Sequence, residues 1–320
     1  MKEKVKIIAE VGSNHNGKLE TALELIAVAA ECGADVVKFQ GFIADDLMAV
    51  DDPNFGKLKR LEVPKSWYPL LIEQCVKHGV EFLSTATSFT TLQWMEEYSV
   101  SQYKVASCNI THIPLIDRLV EINKPIIIST GLASLQEIVD LSVYLEEKGF
   151  KKYSFLHCVS RYPMGPAEAR LKNIFVLNEI LHCPIGFSDH SHGCHLAVAA
   201  VALGAQIIEK HISMDKKGIG MDHDVAVLPD VFRMMCQAVR DTEKAVYVDF
   251  ASNQEAIFEM RRSLHFSRNM SKGEMVNRSA LKITRPENGL LPSEIDYVIG
   301  RTLTKDVKAS EAVKKEILSS

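Results

Sequence analysis

The sequence predicts an α/β fold, a (β/α)8 TIM barrel, followed by a small β-rich domain. Two observations carry this prediction. Short apolar runs rich in β-branched residues recur eight times, at a spacing of roughly 20 to 30 residues, and helical patterns separate most of them. Near-continuous apolar strands that alternate with helices are typical of a parallel sheet covered on both faces, and eight such units suit a closed barrel.

The predicted elements follow from local patterns along residues 1–250. Helices are expected over 19–33 and 134–149, where apolar residues recur at helical spacing and a glycine ends the run, and over about 230–246. The eight strands are expected over 5–11, 35–40, 80–86, 103–107, 125–130, 153–158, 185–189 and 206–212. An open doubly wound sheet is the alternative, but no GxGxxG motif follows the first strand.

The chain changes character after the last barrel helix. Residues 251–260 are polar and are predicted to form a linker. Residues 261–320 contain short alternating runs broken by KGE, PENG and KAS turn signals, which predict a small β-rich domain. The expected organisation is therefore a barrel over 1–250, a linker and a second domain.

Composition excludes several classes of protein. A net charge of -4 without a basic stripe argues against a nucleic-acid partner. No apolar run is long enough to span a membrane and no signal peptide is apparent, so we expect a cytoplasmic protein with no membrane partner. The seven cysteines are scattered and never spaced as CxxC, which argues against disulfides or a structural zinc site.

Polar residues gather at the predicted carboxyl ends of the strands, where barrel enzymes place their chemistry. Each one alone has a simpler explanation, such as a helix N-cap or a hydrogen-bonded core residue, but all the strand ends face one mouth. Ammonium groups beside short hydroxyl groups suit a small anion that carries a phosphate and a carboxylate. The ammonium groups are those of Lys38, Lys104 and Lys210, and the hydroxyl groups are those of Thr85, Ser107, Ser129 and Ser188.

Two histidines end neighbouring strands. His190 follows the seventh strand and His211 closes the eighth, so their imidazoles can reach one ion. Two histidines that leave coordination positions open suit a catalytic divalent metal better than a closed structural site.

Several motifs occur in the same order as in one known enzyme family. They are AEVGSNHNG (9–17), ADVVKFQ (34–40), YKVAS (103–107), IIISTG (126–131), LHCVSRYP (156–163), IGFSDH (185–190), IEKHI (208–212) and ITRPENG (283–289). The chain resembles the N-acetylneuraminate (sialic acid) synthase family, which includes the legionaminic and pseudaminic acid synthases. The tail resembles the antifreeze-like SAF domain of those enzymes.

The resemblance implies an activity. Phosphoenolpyruvate would condense with the open-chain aldehyde of an N-acyl amino sugar, N-acetylmannosamine or a related deoxy diacetamido hexose, giving a nine-carbon 2-keto-3-deoxy acid and phosphate. It implies that phosphoenolpyruvate is held by Lys38, Gln40, Thr85, Lys104, Ser107, Ser129 and Ser188. The same comparison implies that His190 and His211 bind Mn²⁺ or Mg²⁺, that Glu10 positions a water, and that Tyr162 and Asp222 contact the sugar. Arg285 of the SAF domain would enter the partner's site in a domain-swapped homodimer.

Three positions depart from the family pattern. Asn109 stands where an acidic residue is common, and an amide cannot transfer a proton. Ser160 replaces a frequent asparagine on the sugar side and is followed by Arg161, so the sugar can differ from N-acetylmannosamine. Glu287 replaces the usual glycine of the RPGxG motif, a change expected to affect loop shape.

Other functions stay open at this point. A sister barrel that makes 3-deoxy-octulosonate 8-phosphate, or the analogous heptulosonate, would recognise a phosphorylated aldose and generally lacks an SAF tail. A metal-dependent TIM-barrel hydrolase could use His190 and His211, although such enzymes usually have more ligands. A carbohydrate-binding protein without catalysis would leave the lysines at the barrel mouth unexplained.

Overall fold

A computed structural model describes residues 4–246 and 254–319 of the chain. The chain divides into two compact units, residues 1–248 and residues 249–320.

The first unit is a closed barrel of eight parallel strands in sequential order. The strands are β1 (Lys6–Gly12), β2 (Val36–Phe39), β3 (Glu81–Thr85), β4 (Tyr103–Val105), β5 (Ile126–Ser129), β6 (Tyr153–Cys158), β7 (Ile185–Asp189) and β8 (Ile207–His211). β8 pairs with β1 to close the ring. The predicted (β/α)8 barrel is confirmed, with each strand within two residues of its expected bounds.

Helices connect the strands, and most of them pack on the outside of the barrel. They are α1 (Leu19–Glu31), α2 (Ala44–Leu47), α3 (Phe55–Lys59), α4 (Tyr68–Lys77), α5 (Phe89–Glu97), α6 (Ile113–Ile122), α7 (Leu135–Glu147), α8 (Lys172–Ile180), α9 (His195–Ala202) and α10 (Pro229–Val246). Their starts and stops follow local chemistry. Ser134 caps α7 through a capping box with Glu137, and Gly33, which lies just past α1, has a φ of +100°.

Strand alternation divides the barrel into two apolar layers. One layer lies inside the barrel and consists of Ile8, Val36, Leu83, Ile127, Leu156 and Ile207. The residues between them on each strand, such as Ile7, Val37 and Ile208, pack outward against the helices in the larger core. The inner cluster comes from the first half of most strands, which leaves the carboxyl ends free for polar side chains.

The second unit has its own apolar core and little regular sheet. It contains α11 (Gln254–Met260), β9 (Ser263–Phe266), β10 (Leu281–Thr284) and α12 (Ile295–Val298), and β9 pairs antiparallel with β10. Isolated bridges such as Met270 to Val307 replace longer strands. Buried core residues include Leu264, Phe266, Val276, Val298 and Val313. α11 occupies the second part of the segment predicted as a linker, 251–260; residues 251–253 lie outside the described residues.

Within residues 4–246 and 254–319, no helix combines the length and the apolar character needed to cross a bilayer.

Candidate active site

A cavity of about 270 Å³ opens at the carboxyl ends of the barrel strands. Every strand contributes at least one lining residue from its last positions or from the loop that follows. The lining residues that the sequence singled out are Glu10, Lys38, Gln40, Thr85, Lys104, Ser107, Ser129, Ser160, Tyr162, Ser188, His190 and His211. The structure therefore brings most of the predicted site into one pocket.

The expectation that Lys210, on the last strand, lies at the cavity mouth is wrong. Side chains alternate across a strand, so Glu209 and His211 face the barrel interior whereas Lys210 points to the opposite side. Glu209 lines the cavity, but Lys210 is fully buried behind it and pairs with Asp189. Lys210 is thus not one of the ammonium groups at the mouth, and Glu209 is a lining residue that the sequence reasoning left without a role.

Lys38 lies between two buried carboxylates. Its Nζ is 2.7 Å from Glu10 Oε2 and 3.6 Å from Glu209 Oε1. Burial lowers the pKa of Lys38, but Glu10 and Glu209 outweigh it and raise that pKa overall, so the ammonium stays charged. Burial raises the pKa of Glu10 to about 7, against the opposing effect of Lys38. Glu10 is also held by Gln40, whose amide donates to Glu10 Oε1 at 2.9 Å.

Glu209 remains the charged partner of this group. Burial raises the pKa of Glu209, but Lys38 and Lys104 reverse the effect and hold that pKa below its usual value. Ser188 donates to Glu209 Oε1 at 3.0 Å. Within the described residues Glu209 Oε2 is buried without a hydrogen-bond donor, which leaves one acceptor atom available to a ligand hydroxyl or water.

Lys104 supplies the second buried ammonium of the cavity. Its Nζ donates to Ser129 Oγ on β5 and to the Val105 carbonyl at 3.1 Å. Burial lowers the pKa of Lys104, partly offset by Glu209. Because its protein partners are a hydroxyl and a carbonyl, the ammonium can still form an ion pair with a bound anion.

A second group of donors lines the wall between β4 and β6. Ser107 Oγ accepts from the Gly131 backbone amide at 2.9 Å and lies 3.3 Å from Cys158 Sγ. Gly131 cannot be replaced there without a clash, because a Cβ would lie 2.5 Å from Ser160 Oγ and 2.6 Å from Cys158 Sγ. The chain therefore packs closely around these hydroxyl groups.

The imidazoles of His190 and His211 lie close together in the cavity lining. Their ring centroids are 5.5 Å apart, and Tyr162 stacks on His190 at 4.1 Å with an interplanar angle of 27°. Burial lowers the pKa of His190 and lowers that of His211 to about 4. Both imidazoles are therefore neutral near pH 7, the form that binds a metal.

The donor atoms of this pair suit a divalent ion. His190 Nδ1 is 2.8 Å from the Val159 carbonyl, which can only accept, so Nδ1 carries the proton and Nε2 keeps its lone pair. His211 Nδ1 is buried and has no hydrogen-bond partner among the described residues. These residues contain no group of three or more His, Cys, Asp or Glu side chains that could hold a metal, so an ion at this pair would keep open positions.

Three predicted residues do not line the cavity. Asn109 lies in a short turn after β4 and donates to the carbonyls of Ala86 and Thr87, at 3.4 and 3.2 Å. Asp222 accepts from the backbone and hydroxyl of Ser13, at 2.9 and 2.7 Å. Arg285 belongs to the second unit, where it is exposed and has no ion-pair partner within the described part of the chain.

Asp222 nevertheless lies close to the ends of the first two strands. Gly12 has a φ of +52°, and a Cβ there would be 2.5 Å from Asp222 Oδ2 and 3.4 Å from the amide nitrogen of Gln40. Only glycine allows this approach of the β1 backbone. Asp222 does not line the cavity itself. Its hydrogen bonds from Ser13 hold the loop after β1, next to the cavity residue Gln40.

Several apolar residues that the sequence analysis did not identify also line the cavity. Leu47 is 41% exposed and Leu132 is 64% exposed, and both line the opening together with Phe42, Leu58 and Cys108. Leu47 and its neighbours come from the long segment between β2 and α4, which has no strand-end signal. Length alone could have drawn attention to it, since long loops on a barrel's carboxyl face are often functional.

Comparisons with known proteins agree with this geometry. A family model described as NeuB family matches residues 25–249, and one described as SAF domain matches residues 261–318. The chain is 33% identical to an N,N'-diacetyllegionaminic acid synthase of Campylobacter jejuni over 98% of this chain and 100% of the relative. It is 32% identical to a pseudaminic acid synthase of the same species, over 98% and 96%.

A solved structure extends the comparison. The N-acetylneuraminic acid synthetase of Leptospira borgpetersenii, crystallised with citrate, superposes with a TM-score of 0.76 at 32% identity. The superposition covers 79% of this chain and 89% of that one.

Proposed function

Because this chain belongs to the NeuB family, we propose that it is a sialic-acid-type synthase. It condenses phosphoenolpyruvate with the aldehyde of an N-acyl amino sugar and releases a nine-carbon 2-keto-3-deoxy acid and phosphate. The observation that carries the proposal is the content of the barrel cavity. Two buried ammonium groups, several hydroxyl donors, two carboxylates and two neutral imidazoles meet within about 270 Å³.

The anionic substrate binds beside Lys104 and Lys38. Lys104 has only neutral protein partners, so its charge is available to a phosphate or carboxylate. Ser107 and Ser129 provide short hydroxyl groups around it, and Ser188, which donates to Glu209 Oε1, lines the same cavity. Lys38 is 4% exposed and Lys104 is 2% exposed, and an ion pair in such a site is screened far less than one in water.

Charge balance favours a further cation when the substrate binds. The cavity holds two ammonium groups against Glu209 and a partly protonated Glu10, whereas phosphoenolpyruvate brings several negative charges. A divalent ion held by His190 and His211 would supply positive charge and polarise the sugar aldehyde as a Lewis acid. Arg285 of a partner subunit would add a second cation in a domain-swapped homodimer.

Glu10 acts as the general base that takes a proton from the reacting water. C3 of phosphoenolpyruvate bonds to the aldehyde carbon, whose oxygen takes up a proton to become a hydroxyl. Water then adds to the oxocarbenium at C2 and gives up a proton, and the tetrahedral intermediate expels phosphate as its C2 hydroxyl becomes the keto group. Glu10 is held in place by Gln40 and Lys38 at the cavity wall, which is the placement that a general base needs.

The acceptor sugar occupies the outer part of the cavity. Leu47 and Leu132 offer an apolar surface that suits the methyl groups of N-acyl or deoxy positions. Tyr162 and Ser160 also line the pocket. This arrangement favours N-acetylmannosamine or a deoxy diacetamido hexose over a sugar that presents only hydroxyl groups.

The alternatives fit less well. An octulosonate-type synthase does not account for the SAF domain match over residues 261–318. A metal-dependent hydrolase would need more ligands than the pair found in the described residues. The cytoplasmic location remains an expectation from the sequence.

Phosphate release tests the proposal. The protein is mixed with phosphoenolpyruvate, Mn²⁺ and a panel of N-acyl amino sugars, and free phosphate is measured with and without EDTA. Release that requires a sugar and stops with EDTA supports the function. Release without sugar, or no release with any sugar, contradicts it.

A further inference from the structure

Lys210 and Asp189 are a fully buried ion pair behind the active site, and this pair has no role in the proposed chemistry. Both residues are 0% exposed, and Lys210 Nζ is 2.9 Å from Asp189 Oδ2. They are paired neighbours on β8 and β7 and face away from the cavity. Burying two charges carries a large desolvation penalty, and such pairs often stabilise a fold no better than apolar residues of the same size. Stability therefore does not explain why charge is placed here.

The hydrogen bonds of the pair lead to the residues around His190. Lys210 also donates to the backbone carbonyl of Ser191. The other oxygen of Asp189 accepts from the Ser191 amide at 2.9 Å and from its hydroxyl at 2.6 Å. Residues 189 and 191 are thus joined to each other and to β8, with His190 between them. Lys210, which carries this ammonium, directly precedes His211 on β8.

This closed set of contacts fixes the backbone on both sides of the histidine pair. β7 ends at Asp189, and beyond it the backbone pairing continues as an isolated bridge between Met164 and Ser191. The contacts that remain include the amide of Met164, which donates to the His190 carbonyl at 2.9 Å. Without Lys210 and Asp189, the turn after β7 would lose its direct link to β8.

We propose that Lys210, Asp189 and Ser191 form a buried clamp that holds His190 beside His211, which makes them positioning residues for the proposed metal pair. The inference rests on the proposed function for its metal, but the clamp itself is a property of the protein alone. It touches neither substrate nor ion and acts through the backbone of His190. Partners of this kind typically change metal affinity about 10- to 100-fold when they are removed.

The test uses the full chain and a double variant, Asp189→Leu with Lys210→Met, which removes both charges at similar volume. This variant should remain folded, since no unpaired charge is left behind. Mn²⁺ binding to the metal-free protein is measured by the electron paramagnetic resonance signal of free Mn²⁺. We expect affinity to fall at least about tenfold. Ser191→Ala, which removes one hydroxyl donor, should show a smaller loss and serves if the double variant does not fold.

Arg240→Met is the matched control. Arg240 belongs to another ion pair, with Asp35, at the amino-terminal end of the strands. Its loss should lower the unfolding temperature and leave Mn²⁺ affinity unchanged. A general loss of stability cannot then be mistaken for the loss of the clamp.

A crystal structure of the metal-free double variant gives a readout that does not depend on the ion. The clamp predicts that His190 moves off Tyr162, on which it stacks at 4.1 Å. An unchanged stack together with unchanged Mn²⁺ affinity would overturn the clamp. If the unmodified protein binds no Mn²⁺ and releases no phosphate, the proposed function fails, and the position of His190 still decides the clamp.

Discussion

Replacing Lys104 by methionine should abolish most of the catalytic efficiency toward phosphoenolpyruvate. The change keeps an unbranched, slightly shorter side chain and removes a buried ammonium that has only neutral hydrogen-bond partners. Two unit charges about 4 Å apart attract by about 4 kcal/mol at an effective dielectric constant of about 20. Loss of one preorganised donor of this kind costs about 10²- to 10³-fold in rate. We therefore expect kcat/KM for phosphoenolpyruvate to fall by that factor.

The assay is continuous phosphate release at varied phosphoenolpyruvate and saturating sugar. Lys151→Met serves as the control, because Lys151 is an exposed lysine before β6, at the opposite end of the barrel. Thermal unfolding should show that both variants are folded. A folded Lys104→Met variant with kcat/KM within threefold of the unmodified protein would refute the assignment of Lys104 to the anion.

Three further predictions concern other parts of the molecule. Asp35→Asn should lower the free energy of unfolding by about 1 to 2 kcal/mol at pH 7. Burial raises the Asp35 pKa, but hydrogen bonds from Lys4 and the Ile7 amide and the charge of Arg240 lower it overall. That stability is present above the unfolded pKa of about 3.9 and lost as pH falls through the folded pKa, so denaturant titrations of both proteins should converge in acid. Arg285→Ala should fold normally and lose activity, and mixing it with a Lys104→Met protein should restore part of it; no recovery after subunit exchange would argue against a shared site. Leu132→Asp should raise KM for the sugar about tenfold and leave KM for phosphoenolpyruvate unchanged, and equal changes in both constants would contradict the apolar acceptor wall.

The barrel was predictable because its signals are local and repeated. Each strand is a short apolar run and each long helix has an amphipathic pattern, so eight alternations leave few alternatives. The tail was harder, because its core is held by isolated bridges such as Met270 to Val307 rather than by long strands. α11 was missed because a polar stretch without a clear apolar face reads as a loop.

The site was predictable to the level of strand ends but not of individual side chains. Grouping Lys210 with His211 ignored the alternation that separates them, and the same rule would have identified Glu209 as a cavity residue. Asn109 shows a different limit. It lies two residues after Ser107, but the intervening turn directs its amide to the carbonyls of Ala86 and Thr87, and the sequence does not reveal that geometry.

The most direct test of the central claim follows one oxygen atom. If water adds at C2 and phosphate leaves from carbon, the C–O bond of phosphoenolpyruvate breaks and the P–O bond stays intact. Phosphoenolpyruvate carrying ¹⁸O at the bridging position is reacted with the accepted sugar and Mn²⁺, and both products are analysed by mass spectrometry. The account predicts ¹⁸O in the phosphate and a keto acid three carbons longer than the sugar. Label retained in the keto acid or in pyruvate, with unlabelled phosphate, would contradict it.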